Sequence, residues 1–195
     1  MHPDAPDVFD EMERCVHDLD LKGIKLAANY QVFDPLGQPA RRLYAYAEAA
    51  GLPIVFHQGT GVAANAPLRY AHPLVMDEVA IAFPDLKIVM AHIGHPWHAD
   101  CFVAVRKHPN VYADVSGQLY RPWSMYNGFR LAYEWGVMDK LLFASDWSLT
   151  TPQECIESLR GFNRFARDHR LPEVPSELLE GIIQRDSLEL LGLEG

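Results

Sequence analysis

Lys87-Ile-Val-Met-Ala-His92 is a short apolar run that ends in a side chain able to bind a metal or move a proton, and the chain holds two more runs of the same kind. They are Pro53-Ile-Val-Phe-His57 and Leu141-Leu-Phe-Ala-Ser-Asp146. Short continuous apolar runs read as strands buried on both faces of a parallel sheet. Residues at the carboxyl ends of successive parallel strands converge on one place, and α/β barrels keep their chemistry there.

The segments around these runs repeat one strand, loop and helix unit. Val8, Met12, Cys15, Val16 and Leu19 fall at spacings of three and four, which predicts an opening amphipathic helix over 7–19. A buried strand over 23–28 follows, then a polar loop over 29–38 and a helix over 39–50, stopped by Gly51 with Pro53 beyond it. Strand 53–57 precedes a helix over 73–83, and strand 87–92 precedes a helix over 99–107. Strand 110–115 leads through loop 116–123 to a helix ending near Gly136; strand 140–145 leads through loop 146–151 to a helix over 152–169. A last helix over 176–191 opens on Ser176, read as its cap.

Strands alternating with helices predict a parallel sheet with right-handed crossovers. An open doubly wound sheet and a (β/α) barrel compete for this pattern. A nucleotide-binding open sheet would place a Gly-rich turn after a strand, and neither G-x-G-x-x-G nor a P-loop occurs. The strand ends carry His and Asp instead, so the expected class is α/β, a (β/α) barrel of the TIM type. An eight-stranded barrel takes ~250 residues. The five expected strands therefore describe a partial one, formed by a single domain over 1–195.

The chain has 195 residues, 49% of them hydrophobic, enough for a core of ordinary domain size. With 17 basic and 26 acidic residues the net charge is −9, scattered rather than blocked, which gives no footprint for nucleic acid or an anionic membrane. A small-molecule partner is expected. Three cysteines without C-x-x-C spacing argue against a disulfide framework or a cysteine zinc site. No signal peptide or membrane-length run is present, so the expected setting is cytoplasmic.

His57, His92 and Asp146 are the leading candidates. Each alone could be structural, His57 as a histidine bonded to a backbone carbonyl ahead of a flexible polar loop, Gln58-Gly59-Thr60-Gly61. Three titratable groups on three strand ends are better explained by a shared site, because a buried unpaired carboxylate alone costs several kcal/mol. Imidazole and carboxylate together suit zinc, manganese or a similar divalent ion. His92, His95 and His98 are spaced by three, but Pro96 interrupts any helix that would align them. Lys25 inside the first strand reads as a lysine paired with an acid, with a carboxylated metal-bridging lysine as the alternative. Asp114 alternates with apolar neighbours and reads as structural. Arg121, flanked by Tyr120 and Trp123, is placed to grip a substrate carboxylate or, more simply, to stack on a ring at the surface. Trp123 and Trp97 are the candidate aromatic contacts.

Gly23-Ile-Lys-Leu, Gly51-Leu-Pro-Ile-Val-Phe-His57, Phe83-Pro-Asp-Leu-Lys-Ile-Val-Met-Ala-His-Ile-Gly-His-Pro-Trp97, Asn110-Val-Tyr-Ala-Asp-Val-Ser116 and Leu142-Phe-Ala-Ser-Asp146 resemble, in order, the later strands of the amidohydrolase-related family. This is the branch of the amidohydrolase superfamily that includes aminocarboxymuconate-semialdehyde decarboxylase. The resemblance implies a metal-dependent barrel in which His57 ligates the metal and His92 lies beside it and polarises substrate or water. It implies that Asp146 binds the metal or shuttles a proton. It departs from the family in one major respect: family members carry an H-x-H pair on their first strand, and none occurs here. About three βα units would then precede this chain in a whole barrel. Ala144 and Asp186 stand where glycine and asparagine are usual. The expected function is a divalent-metal hydrolase, zinc first and manganese as alternative, acting on a small carboxylated substrate. Non-oxidative decarboxylation and a non-catalytic remnant are the alternatives. Two open sheet edges and an apolar inner face predict a homo-oligomer.

Overall fold

The computed structural model of the chain describes residues 1–193 and contains five strands, all shorter than the apolar runs that encode them. They are β1 (Ile24–Leu26), β2 (Ile54–Phe56), β3 (Ile88–Met90), β4 (Val111–Asp114) and β5 (Leu141–Leu142). All pair in parallel, in chain order, so each strand lies beside the next. Ile24, Ile54, Ile88 and Val111 stand in register across the first four strands.

The period of two sorts the side chains onto two faces. Leu26, Ile54, Phe56, Ile88, Met90, Val111, Ala113 and Leu141 join the main core beneath the helices. Val55, Val89, Tyr112 and Leu142 point the other way, to the inner face. His57 follows Val55 by two residues and so shares that face.

The expected exposure of the inner face is not what the structure shows. Leu190, Leu191 and Leu193, from the last described turn, pack against Val55, Val89, Tyr112 and Leu142, leaving Val89 3% and Tyr112 8% exposed. Strands β1 and β5 each keep one unpaired edge among the described residues.

The helices are α1 (Val8–Glu13), α2 (Ala28–Gln31), α3 (Gln38–Ala49), α4 (Leu74–Ala82), α5 (His98–Lys107), α6 (Pro122–Trp135), α7 (Pro152–Arg160), α8 (Phe162–Asp168), α9 (Ser176–Gln184) and α10 (Ser187–Leu190); α1 to α9 send residues into the main core, whereas Leu190 of α10 packs on the inner face. Several expectations need correction. The opening helix passes into a wider π turn at Arg14–Asp18. The expected loop over 29–38 begins with α2, which stops where Val32 turns left-handed at φ 56°. The expected helix over 152–169 is two helices meeting at Gly161. The last one divides at Arg185 and Asp186, where Arg185 donates to the Leu141 carbonyl and Asp186 caps α10 through the amides of Leu188 and Glu189, both at 3.0 Å. Ser176 does not cap α9; its hydroxyl accepts from Asn163 Nδ2 at 3.3 Å. The full capping box belongs to α7, between Thr151 and Glu154. No helix among the described residues is long and apolar enough to cross a membrane.

Candidate functional site

The carboxyl ends of the strands open into one cleft, lined by His57, His92, His95, Arg121 and Asp146 together with Tyr30, Gln58 and Gln118. His57, His92, Asp146 and Arg121 therefore share a single opening.

The His57 amide continues the ladder, donating to Leu26 O at 2.8 Å. Its ring Nε2 lies 2.9 Å from the Thr60 carbonyl, which can only accept, so Nε2 carries the proton and Nδ1 the lone pair of the neutral ring. Burial lowers the His57 pKa and favours that neutral form, the Thr60 contact opposing it. The rings of Tyr30 and His92 flank it, each with its centroid 5.0 Å away. The loop beyond is clamped rather than flexible: the Gly59 amide donates to Ala71 O at 2.7 Å and the Thr60 amide to His95 O at 2.9 Å. Gly59 sits at φ +108°, and a Cβ there would fall 2.1 Å from the His95 carbonyl oxygen.

His92 lies beyond the end of β3, not on it. Strand pairing stops at Met90, and Ala91–Gly94 form a tight turn in which His92 (φ 61°) and Ile93 (φ 44°) are left-handed. Asp146, after β5, also has φ 61°. Such a backbone costs non-glycine residues about 1–3 kcal/mol each and persists only where surroundings enforce it. Around His92 those surroundings are Asp114, which accepts the His92 amide at 3.0 Å, and Gln118, whose Nε2 donates to the His92 carbonyl at 3.0 Å. The His92 Nδ1 stands 2.8 Å from Ser116 Oγ. Desolvation lowers the Lys25 ammonium, and the charges of Asp114 and Asp146 oppose it.

Arg121 is preset. Its Nη1 donates to Gly117 O at 2.8 Å and its guanidinium lies 4.4 Å over the Tyr120 ring, leaving other N–H groups for the cleft. Trp123 and Trp97 do not line the cleft. Trp123 is 60% exposed on the first turn of α6, against Tyr126 and Phe165, because Pro122 starts a helix where a loop is expected. Trp97 lies tilted against the His72 ring, with centroids 4.8 Å apart. The His92, His95, His98 trio diverges: His95 reaches the cleft and contacts Ser124 Oγ at 2.9 Å, whereas His98 enters the core beside Phe102. Ser116, Gln118 and Tyr30 escape sequence reading. The Asp114-Val-Ser116 alternation, which puts both polar groups on one face, is the signal that could have found Ser116.

His57 Nδ1, His92 Nε2 and the Asp146 carboxylate are donor types that zinc accepts. Among the described residues, however, no three His, Cys, Asp or Glu come together as a metal-holding group. The donor chemistry fits a divalent ion; the number and placement do not complete a shell.

A profile of the amidohydrolase family matches residues 1–193. No curated protein matches the chain. Among solved structures, a TIM-barrel protein from Bordetella bronchiseptica is 23% identical with a TM-score of 0.70, covering 94% of this chain and 62% of its own. A Lactobacillus casei protein, provisionally described as a metal-dependent hydrolase, is 22% identical with a TM-score of 0.65, covering 95% and 58%. The 5-carboxyvanillate decarboxylase of Sphingomonas paucimobilis is 14% identical with a TM-score of 0.63, covering 95% and 62%. The chain thus has the fold of part of a (β/α) barrel and spans 58 to 62% of these three structures.

Proposed function

The chain belongs to the amidohydrolase family, and from that premise we propose that its cleft serves a metal-dependent hydrolase, of the aminocarboxymuconate-semialdehyde decarboxylase branch, acting on a small carboxylated organic substrate. The observation that supports this reading most is the opening of His57, His92, Asp146 and Arg121 into one cleft at the strand ends.

Arg121, already held by Gly117 O and the Tyr120 ring, grips the substrate carboxylate. Asp146 takes a proton from the attacking water and returns it to the leaving group. His92, once protonated, stabilises the developing negative charge through Nε2 while Nδ1 stays on Ser116. A divalent ion, zinc with manganese as the alternative, would add Lewis acidity; His57 and Asp146 are the proposed holders, fewer than the three or four protein donors of a zinc site.

Decarboxylation is the second reading, supported by the same carboxylate-gripping Arg121 and by the likeness to a decarboxylase barrel. The test is metal content and product analysis on the purified chain reconstituted with zinc or manganese. Bound metal with incorporation of solvent oxygen into product supports hydrolysis, and carbon dioxide release without it replaces hydrolysis by decarboxylation. Less than about a tenth of an equivalent of bound metal would leave the cleft a binding remnant.

A further inference from the structure

We propose that Ser116 and Asp114 are positioning residues that set the tautomer of His92, holding its proton on Nδ1 and presenting a bare Nε2 to the cleft. The proposed function supplies the use of that nitrogen; the tautomer is a property of the chain itself.

Asp114 ends β4 and is 8% exposed. Its Oδ1 receives the His92 amide at 3.0 Å, the Ser116 amide at 3.0 Å and the Ser116 hydroxyl at 2.5 Å. A carboxylate can only accept, so the Ser116 proton is committed to Asp114. Ser116 Oγ, on a residue 3% exposed, then meets His92 Nδ1 at 2.8 Å with only lone pairs to offer. Nδ1 must therefore donate. The reverse arrangement, Ser116 donating to Nδ1, would leave two oxygens 2.5 Å apart with no proton between them.

The ring has little freedom to escape this arrangement. Gln118 Nε2 bridges the carbonyls of His92 and Ser116 at 3.0 and 3.2 Å, tying the two loops together. Gly117, at φ +69°, leaves just enough room: a Cβ there would lie 3.1 Å from His92 Nδ1. The left-handed backbone of His92 is thus bonded at its amide, its carbonyl and its ring to the segment 114–118. Neutral His92 accordingly has an acceptor, not a donor, facing the reacting atoms; it gains a donor there only after taking up a proton.

The experiment is long-range ¹H–¹⁵N NMR of the full chain without added metal, with the His92 ring signals assigned by their loss in His92→Gln. For the neutral form of the His92 ring, the expected result is the Nδ1–H tautomer ahead of the Nε2–H tautomer by about tenfold or more. Ser116→Ala should collapse that ratio toward the Nε2–H form that an unconstrained imidazole prefers, Asp114→Asn should weaken it, and Ser116→Thr, which keeps a hydroxyl, should restore it. Should Ser116→Ala not fold, Ser116→Cys serves in its place, with a weaker acceptor and an intermediate ratio expected. An Nε2–H ring in the unaltered protein, or a ratio indifferent to Ser116→Ala and Ser116→Cys, would overturn the proposal. A chain with the Nδ1–H ring and no turnover would instead remove the proposed function and leave the positioning roles standing.

Discussion

Acidification should destabilise this fold through one buried ring, that of His98. It is 7% exposed at the start of α5, stacked near Phe102, with Gly128 of α6 close against its edge and, among the described residues, no partner for its Nε2. Burial pushes its pKa down from 6.5 to about 4, the nearby His95 adding to the effect. The unfolded chain therefore binds a proton that the folded chain refuses, in the window between those two values. Stability is full above pH 6.5 and falls as the pH drops toward 4. Between those two values, the loss relative to neutral pH is about 2 kcal/mol at pH 5 and about 3 kcal/mol at pH 4. That is a large part of the ~5–15 kcal/mol by which domains of this kind are stable. His57 and His95 are also lowered by burial and act in the same direction, so the wild-type slope alone does not isolate His98. His98→Phe does: it keeps an aromatic ring against Phe102 and removes the proton site and the unpartnered nitrogen together. Urea unfolding followed by circular dichroism at pH 7, 6, 5 and 4.5 should show the variant within about 1 kcal/mol of wild type at pH 7. It should then fall less steeply by about 2 kcal/mol at pH 5. Parallel curves for the two proteins across the whole range would refute the reasoning.

Gly59→Ala should cost about 3 kcal/mol or more, because the new Cβ meets the His95 carbonyl and φ +108° suits glycine alone; a melting temperature equal to wild type would contradict it. Thr151→Ala should cost about 1 kcal/mol through loss of the α7 capping box, whereas Ser176→Ala should stay within about 0.5 kcal/mol. The reverse order in chemical unfolding would restore Ser176 as the cap.

Strand positions and order are legible because buried parallel strands are written as short unbroken apolar runs, as in Pro53–His57, Lys87–His92 and Leu141–Asp146. Their lengths are not legible, since a residue can be apolar and yet turn away from the ladder: Ala91 continues the run in sequence, while the backbone has left β3 at Met90. The strand-end candidates meet because topology alone brings them together. The groups that hold them do not announce themselves, since Ser116 and Gln118 act through hydrogen bonds across loops that leave no periodicity. Trp123 fails as a cleft residue because Pro122 serves equally to end a loop and to begin a helix, and here it begins α6. Thr151 and Ser176 both sit beside a proline at a helix start, but Ser176 is already the first residue of α9, and only Thr151 stands at the extended residue just outside its helix, where its oxygen reaches an unpaired amide.

Because spatial order equals chain order in the sheet, every strand pairing is closed by a single neighbouring βα unit, and folding can proceed by adding one unit to the next with little loop entropy to overcome at each step. The exception is the leucine cluster at 190–193, which reaches back across most of the chain to Val55. It is the contact with the greatest sequence separation on the inner face, so it should form last and report completion of the sheet. Amide exchange would then find the floor of the barrel opening before any of its staves.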